Sequence, residues 1–231
     1  MTMSTALVVS GSGRWADPWH PFEQTSERLR QVLTGCGLEV TVRDDVEDAL
    51  TGLPAVDLLV LNIGNTEGPD PDLPDLPERP GPEVVAAIET SLQQHLERGG
   101  ALLGVHSATT ALPTSPTYAS LLGGRWVRGR TMHPPIGPAR VEPVDVDHPV
   151  AAGLGPTELV DERYSWLETG PDVTVLCEHE HDEEQHPVVW ARTAGPARVL
   201  YSGLGHDTRS YDSPAHRELL VRGVDWLLGR G

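Results

Sequence analysis

The chain has 231 residues, enough to bury a full core as one large α/β domain or two small ones. Hydrophobic residues make up 38% and charged residues 22%, the balance of a soluble globular protein, and the formal net charge of −17 argues against nucleic acid or an anionic membrane as a partner. No apolar run approaches the ~18 residues of a membrane span, and MTMSTALVVSGSG leads straight into a strand, so no secretory leader is read and the cytoplasm is the expected location.

Residues 5–11 read as an apolar strand ending in a Gly-Ser-Gly loop. Residues 22–37 carry apolar side chains at helical spacing with a glycine stop. Residues 38–45 alternate as a strand does, and 56–64 are apolar enough to be buried on both faces. The Pro-dense run 69–82 reads as a rigid loop over a cleft, followed by a helix at 83–100 and a short buried strand at 101–105. Strands alternating with helices imply a doubly wound, mainly parallel sheet, whose ligands bind beyond the carboxyl ends of its strands. Residues 11–20, 64–82 and His106 all fall there. In the second half, strand-like pieces at 138–146, 172–178, 186–192 and 197–203 suggest an antiparallel extension of the sheet or a β-rich flap. A helix at 213–230, with Pro214 in its first turn, closes the chain. There is no disordered linker and no internal repeat, so one domain is expected. Cys36 and Cys177 have no metal-ligand spacing and read as packing residues in a reducing compartment.

The stretch GGALLGVHSATTAL (99–112) is the chemical centre of the sequence. A strand runs into a sharp turn of small residues, the form that holds a reactive side chain clear of a sheet. The tip belongs to His106, which is not an acyl-transfer nucleophile; the bland alternative is a buried histidine bonded to backbone. Ser107, one place past the tip, reads as the N-cap of the next helix and a supporting residue. His20, before Pro21 and a helix, faces the cleft floor or merely marks a helix entry. His133 in GRTMHPP is a site residue or an ordinary His-Pro turn, and His148 in DHPV reads better as a cap. Asp161 and Glu162 are adjacent and point apart, so at most one faces the cleft. GLGHDT (203–208) follows an apolar strand, placing His206 and Asp207 at a strand end where glycines allow close approach of a ligand. Asp207 would hold the His206 tautomer, bind a hydroxyl or cap the loop. EHEHDEEQHP (178–187) resembles a metal cluster but has no fixed ligand spacing, and reads as a solvated hairpin loop.

The segments HPFEQTSERL, GGALLGVHSA, YASLLGGRW, HPVAAGL, DERYSW, HPVVWAR and VLYSGLGHD occur in the order seen in the trehalose-utilisation ThuA-like family, within the class I glutamine amidotransferase-like superfamily. The resemblance runs from about residue 5 to residue 228 and implies a flavodoxin-like α/β/α domain of bacterial sugar catabolism. It also implies an amidotransferase elbow without its cysteine, so glutamine hydrolysis is not expected. The resemblance places His206 near the amidotransferase catalytic histidine, and its Asp-Glu-x-Tyr pattern favours Glu162 over Asp161 as the residue that faces the cleft.

Three readings follow. In the first, a carbohydrate such as a keto-sugar or glycoside meets His106 and His206 as acid and base with Glu162 or Asp207 as partner, and undergoes isomerisation, elimination or hydrolysis. His20, Ser107, His133, Asp207 and Trp19 would bind it, and Trp15, Trp126 and Trp166 would stack on sugar rings with Trp19. In the second, His106, His133 and His206 hold zinc with water in the open position. In the third, the cleft only binds sugar. No nucleotide cofactor is expected, and a homo-oligomer is compatible with all three.

Overall fold

Side chains along the first strand feed two cores at once. Leu7 and Val9 pack on one side of the sheet, and Ala6 and Val8 on the other. The computed structural model describes residues 3–64, 77–144 and 146–230. The first half runs β1 (Thr5–Ser10), α1 (Phe22–Gly35), β2 (Glu39–Arg43), α2 (Val46–Thr51), β3 (Leu58–Asn62), α3 (Pro82–Glu97) and β4 (Ala101–Val105). The second half runs α4 (Pro116–Leu122), β5 (Gly124–Arg125), β6 (Gly137–Pro143), β7 (Thr157–Asp161), β8 (Glu168–Thr169), β9 (Thr174–His181), β10 (Glu184–Ala194), β11 (Ala197–Ser202) and α5 (Pro214–Leu227).

One sheet has the order β2-β1-β3-β4-β11-β10-β9-β6-β7, while β5 and β8 form a separate ribbon. The pairings from β2 to β11 are parallel and those from β11 to β7 antiparallel. This is the expected doubly wound sheet with an antiparallel extension. α1 and α5 cover one face, and α2, α3 and α4 the other. The chain leaves β1 for β2 on one side and returns to β3 on the other, so the crevice of a doubly wound sheet opens above the carboxyl ends around β1, β3 and β4. The short helix α2 and the edge strand β7 were not anticipated, a six-residue helix being too short to show a helical period, and the helix expected directly after His106 begins only at Pro116 as α4. Of the proline-rich loop expected at 69–82, residues 69–76 lie outside the described residues. Pro82 opens α3, which places it at the first helical position.

The two loops that end the antiparallel half are locked by one carboxylate. Asp161, the last residue of β7, is 1% exposed. Its oxygens accept from Gly205 N (2.8 Å), His206 N (3.1 Å), Ser210 Oγ (2.6 Å) and Glu162 N (2.9 Å). Gly205 has φ +114°, and a Cβ there would fall 2.7 Å from the Tyr211 hydroxyl, so the loop needs glycine at this point.

The hairpin read at 178–187 is present as β9–β10 with residues 182–185 exposed, but its two inward-facing histidines are not solvated. Its turn, Asp182–Glu183, has φ of 51° and 64°, the paired left-handed geometry whose twist suits a two-residue hairpin. His179 (0% exposed) and His186 pair across the strands and face inward. His179 Nε2 donates to the Tyr164 carbonyl at 3.0 Å, and His186 Nδ1 accepts from Trp166 N at 3.3 Å. The hairpin thus fastens the segment that follows Glu162.

Two expectations follow. Burial lowers the imidazole pKa of His95, His179 and His216, so the folded state keeps them neutral while the unfolded chain protonates near the ordinary value of about 6.5. The unfolded state then binds more protons, and stability is lost as pH falls through that value. The thermal midpoint is expected to be lower at pH 5.5 than at pH 7.5; an equal or higher midpoint would contradict the assignment. Asp161→Ala leaves buried donors without an acceptor and should cost roughly 3–5 kcal/mol in urea denaturation. Asp207→Ala removes only a pair with the half-exposed Arg209 and should cost under ~1 kcal/mol.

Candidate active site

His106 follows β4 directly and has φ +45°, a left-handed conformation that costs a non-glycine residue roughly 1–2 kcal/mol. Two bonds from the neighbouring strand region hold it there. Tyr201 Oη donates to the His106 carbonyl at 2.7 Å, and His106 Nδ1 lies 2.7 Å from the Gly203 carbonyl. The elbow read from 99–112 is therefore present. It is more enclosed than an open tip, since His106 is 1% exposed, but its surroundings are polar: His20, Glu162, His206 and the ring of Tyr164.

His20 comes from the loop after β1. Its Nδ1 lies 2.7 Å from both carboxylate oxygens of Asp17, which also accepts from the backbone N–H of Trp19 and His20. Glu162 comes from the end of β7 and His206 from the loop after β11, the two loops that Asp161 joins. The three imidazole centroids stand 4.7–5.3 Å apart. His106 Nε2 is 3.1 Å from His20 Nε2 and 3.4 Å from Glu162 Oε2. Glu162 Oε2 is 3.2 Å from His206 Nδ1 and 3.9 Å from His20 Nε2. Despite the short contact, neither Glu162 Oε2 nor His206 Nδ1 has a hydrogen-bond partner in acceptable alignment. One ligating atom from each of His20, His106, Glu162 and His206 falls within 4.8 Å of all the others, a set that could hold a metal ion.

Bonding fixes where the protons sit. A carbonyl and a carboxylate only accept, so Nδ1 carries a hydrogen in both His106 and His20, and each ring turns its Nε2 toward the other. Burial lowers the His20 pKa against the opposing bond to Asp17. Burial alone would raise Glu162, but His106, His206 and His133 hold it well below the usual carboxylate range. His206 is pushed down by burial and more strongly up by Glu162, Asp161 and Asp207, for a net rise.

Other expected residues are placed as follows. His133 is 34% exposed at the mouth, with Nδ1 3.0 Å from the Pro134 carbonyl and 3.5 Å from Glu162 Oε1. It lies beside the cluster and outside the ligating set, so the zinc set read from sequence needs His20 and Glu162 where it had His133. Ser107 does not cap a helix. Its hydroxyl is buried and donates to the Ile63 carbonyl at 3.1 Å, while Ser115 caps α4. Asp207 turns to Arg209 and leaves the His206 ring to Glu162. Trp19 stands 52% exposed next to His20. Trp15 is buried, with Nε1 on Glu47, and is closed to a sugar; Trp166 packs on His181 and His186. Trp126 packs edge-on against Tyr164 at 4.9 Å, and Tyr164 lies 4.3 Å from His106 with its hydroxyl 3.5 Å from His20 Nε2. Asp17 and Tyr164 are the site residues that sequence reasoning missed. The Asp-x-x-His spacing was the available signal for Asp17.

A family model described as ThuA, trehalose utilisation, matches residues 5–227. No curated protein matches the sequence. The fold is similar to that of a ThuA-like protein from Parabacteroides merdae, at TM-score 0.73 and 18% identity over 99% of this chain and 90% of that one. A ThuA-like protein from Bacteroides uniformis gives TM-score 0.72 and 19% identity over 97% and 91%. A glutamine amidotransferase from Thermotoga maritima shares the architecture at TM-score 0.58 and 9% identity, over 99% of both chains. Among the described residues no helix is long and apolar enough to cross a membrane. With the family match covering nearly its whole length, the chain belongs to the ThuA trehalose-utilisation family.

Proposed function

We propose that the protein is an enzyme acting on a carbohydrate, a keto-sugar or glycoside of the trehalose type, with the cluster of His20, His106, Glu162 and His206 as its reacting centre. The observation that carries this reading is the aim of His106. A residue in a strained conformation directs a bare ring nitrogen at two other imidazoles and a carboxylate in a buried site. Strain at a strand end is kept where the surrounding structure enforces it, and such residues concentrate at active sites. A pocket that only recognises hydroxyl groups has no need of it.

Acyl transfer does not fit this centre. The tip carries no thiol, and the Ser107 hydroxyl is committed to Ile63. Carbohydrate is supported by the family description and by the cleft wall. Trp126 borders both Tyr164 and a neighbouring cavity of about 250 Å³, an aromatic side chain between that cavity and the cluster. Isomerisation and elimination begin with removal of a proton beside a keto group, and hydrolysis requires one at the glycosidic oxygen. The first step needs a base and the second an acid, and a buried cluster of three imidazoles and a carboxylate can supply both.

Turnover of a keto-disaccharide and its parent disaccharide, followed by product chromatography, tests this. His106→Ala and His206→Ala are each expected to lose about 10²-fold or more in kcat/KM, and Ser107→Ala to keep activity within ~10-fold of wild type. Sugar binding without turnover in the wild type would make the protein a binding module, and full activity in His106→Ala would move the centre elsewhere.

A further inference from the structure

We infer that this cluster is a metal centre for one divalent ion of the zinc class, ligated by His20 Nε2, His106 Nε2, His206 Nδ1 and a Glu162 oxygen. The inference rests on reading the cluster as the reacting centre and changes what its imidazoles do. They act as ligands, and with four protein ligands filling a tetrahedral shell proton transfer passes to a group at the mouth such as His133.

Four observations converge on it. The first is the count of lone pairs. With Nδ1–H of His106 committed to the Gly203 carbonyl and Nδ1–H of His20 to Asp17, the two Nε2 atoms face each other at 3.1 Å beside a carboxylate oxygen. In the neutral rings these three atoms offer only lone pairs, which one cation between them satisfies together, whereas a single proton on one imidazole satisfies them a pair at a time. The second is the outer shell. Imidazoles that bind metals characteristically give their other N–H to a carboxylate or a backbone carbonyl, which fixes ring and tautomer. Asp17 and Gly203 supply one of each. The third is spacing. Ligands 2.0–2.1 Å from a shared ion at the tetrahedral angle stand about 3.3–3.4 Å apart. The separations of 3.1, 3.2, 3.4 and 3.9 Å bracket that edge, and the whole set stays within 4.8 Å.

The fourth is charge. Asp17, Asp161 and Glu162 are all buried around the cluster. Among the described residues the ion pairs of Asp17 and Glu162 are with imidazoles, and Asp161 is met by N–H and O–H donors. Buried carboxylates faced by imidazoles and uncharged donors are compensated when a dication sits among them. Three nitrogens and one oxygen suit zinc or its late transition-metal neighbours, whereas magnesium and calcium prefer all-oxygen shells. The four ligands come from three strand-end regions and the end of β7, which the fold alone brings together, so no sequence spacing advertises them.

The test uses the full chain, stripped with chelator and dialysed. Zinc is titrated calorimetrically, and retained metal is measured by plasma mass spectrometry after gel filtration. One ion per chain is expected, with a rise in thermal midpoint and no comparable response to magnesium. His20→Ala, His106→Ala and the near-isosteric Glu162→Gln should each weaken zinc binding by roughly 100-fold or more. His133→Ala should bind within ~10-fold of wild type, because its ring lies outside the ligand set. The thermal midpoint of each zinc-free variant shows that it folds. Absence of stoichiometric zinc in the wild type, or loss of binding in His133→Ala with retention in His20→Ala, would overturn the inference. Full sugar turnover by zinc-free protein would also overturn it while leaving the proposed function in place. Tight zinc binding without any sugar turnover would do the reverse.

Discussion

The site depends on how β4 and β11 grip a single residue between them. These strands are parallel neighbours, and Ser202 pairs with Val105, so Gly203 and His106 emerge side by side at the same end of the sheet. The Gly203 carbonyl receives the ring N–H of His106, and the Tyr201 hydroxyl reaches its carbonyl. Together these bonds offset the roughly 1–2 kcal/mol of left-handed strain and set the direction of the ring. With Nδ1 occupied, Nε2 has only one place to point. The loops after β1, β7 and β11 supply what it points at.

The remaining structure stabilises those loops against drift. Asp161 ties the end of β7 to the backbone of Gly205 and His206, so Glu162 and His206 are set relative to each other by one buried carboxylate. His179 and His186 hold Tyr164 and Trp166 from the hairpin beneath. Asp17 plays the same part for His20. Each ring or carboxylate at the centre is positioned by a second polar group, the arrangement expected where a geometry must be held to a fraction of an ångström.

Much of this was legible in the sequence, for identifiable reasons. The parallel half announces itself because strands buried on both faces need continuous apolar runs such as LLVLN and ALLGV, and their glycine stops mark the turns. The tip position of His106 followed from that strand and its small-residue turn; the alternation of neighbouring side chains allowed only one of Asp161 and Glu162 to face the cleft, and the choice of Glu162 came from the family pattern Asp-Glu-x-Tyr. What stayed hidden depended on distance between loops. His133 looked equal to the other histidines until its ring was placed against the Pro134 carbonyl, outside the ligating group. Ser107 was read as a cap because a helix was expected at once, whereas a short 3-10 turn spans His106–Thr110 and α4 begins only at Pro116. The histidine-rich hairpin looked solvated because its composition is polar. Yet Cys177 and His179, two residues apart on a strand, share the inward face.

Family membership gives the architecture and a setting in sugar use, and the geometry gives a buried cluster of three imidazoles and a carboxylate at the strand ends. That centre stands or falls with the proton on His106. A long-range ¹H–¹⁵N correlation spectrum of metal-free protein at neutral pH, assigned with His106→Gln, reads it directly. The account predicts the Nδ1–H tautomer, with Nε2 unprotonated and shifting when zinc is added. An Nε2–H tautomer for His106 would contradict it, because the ring nitrogen facing His20 and Glu162 would then be a donor with no lone pair to offer.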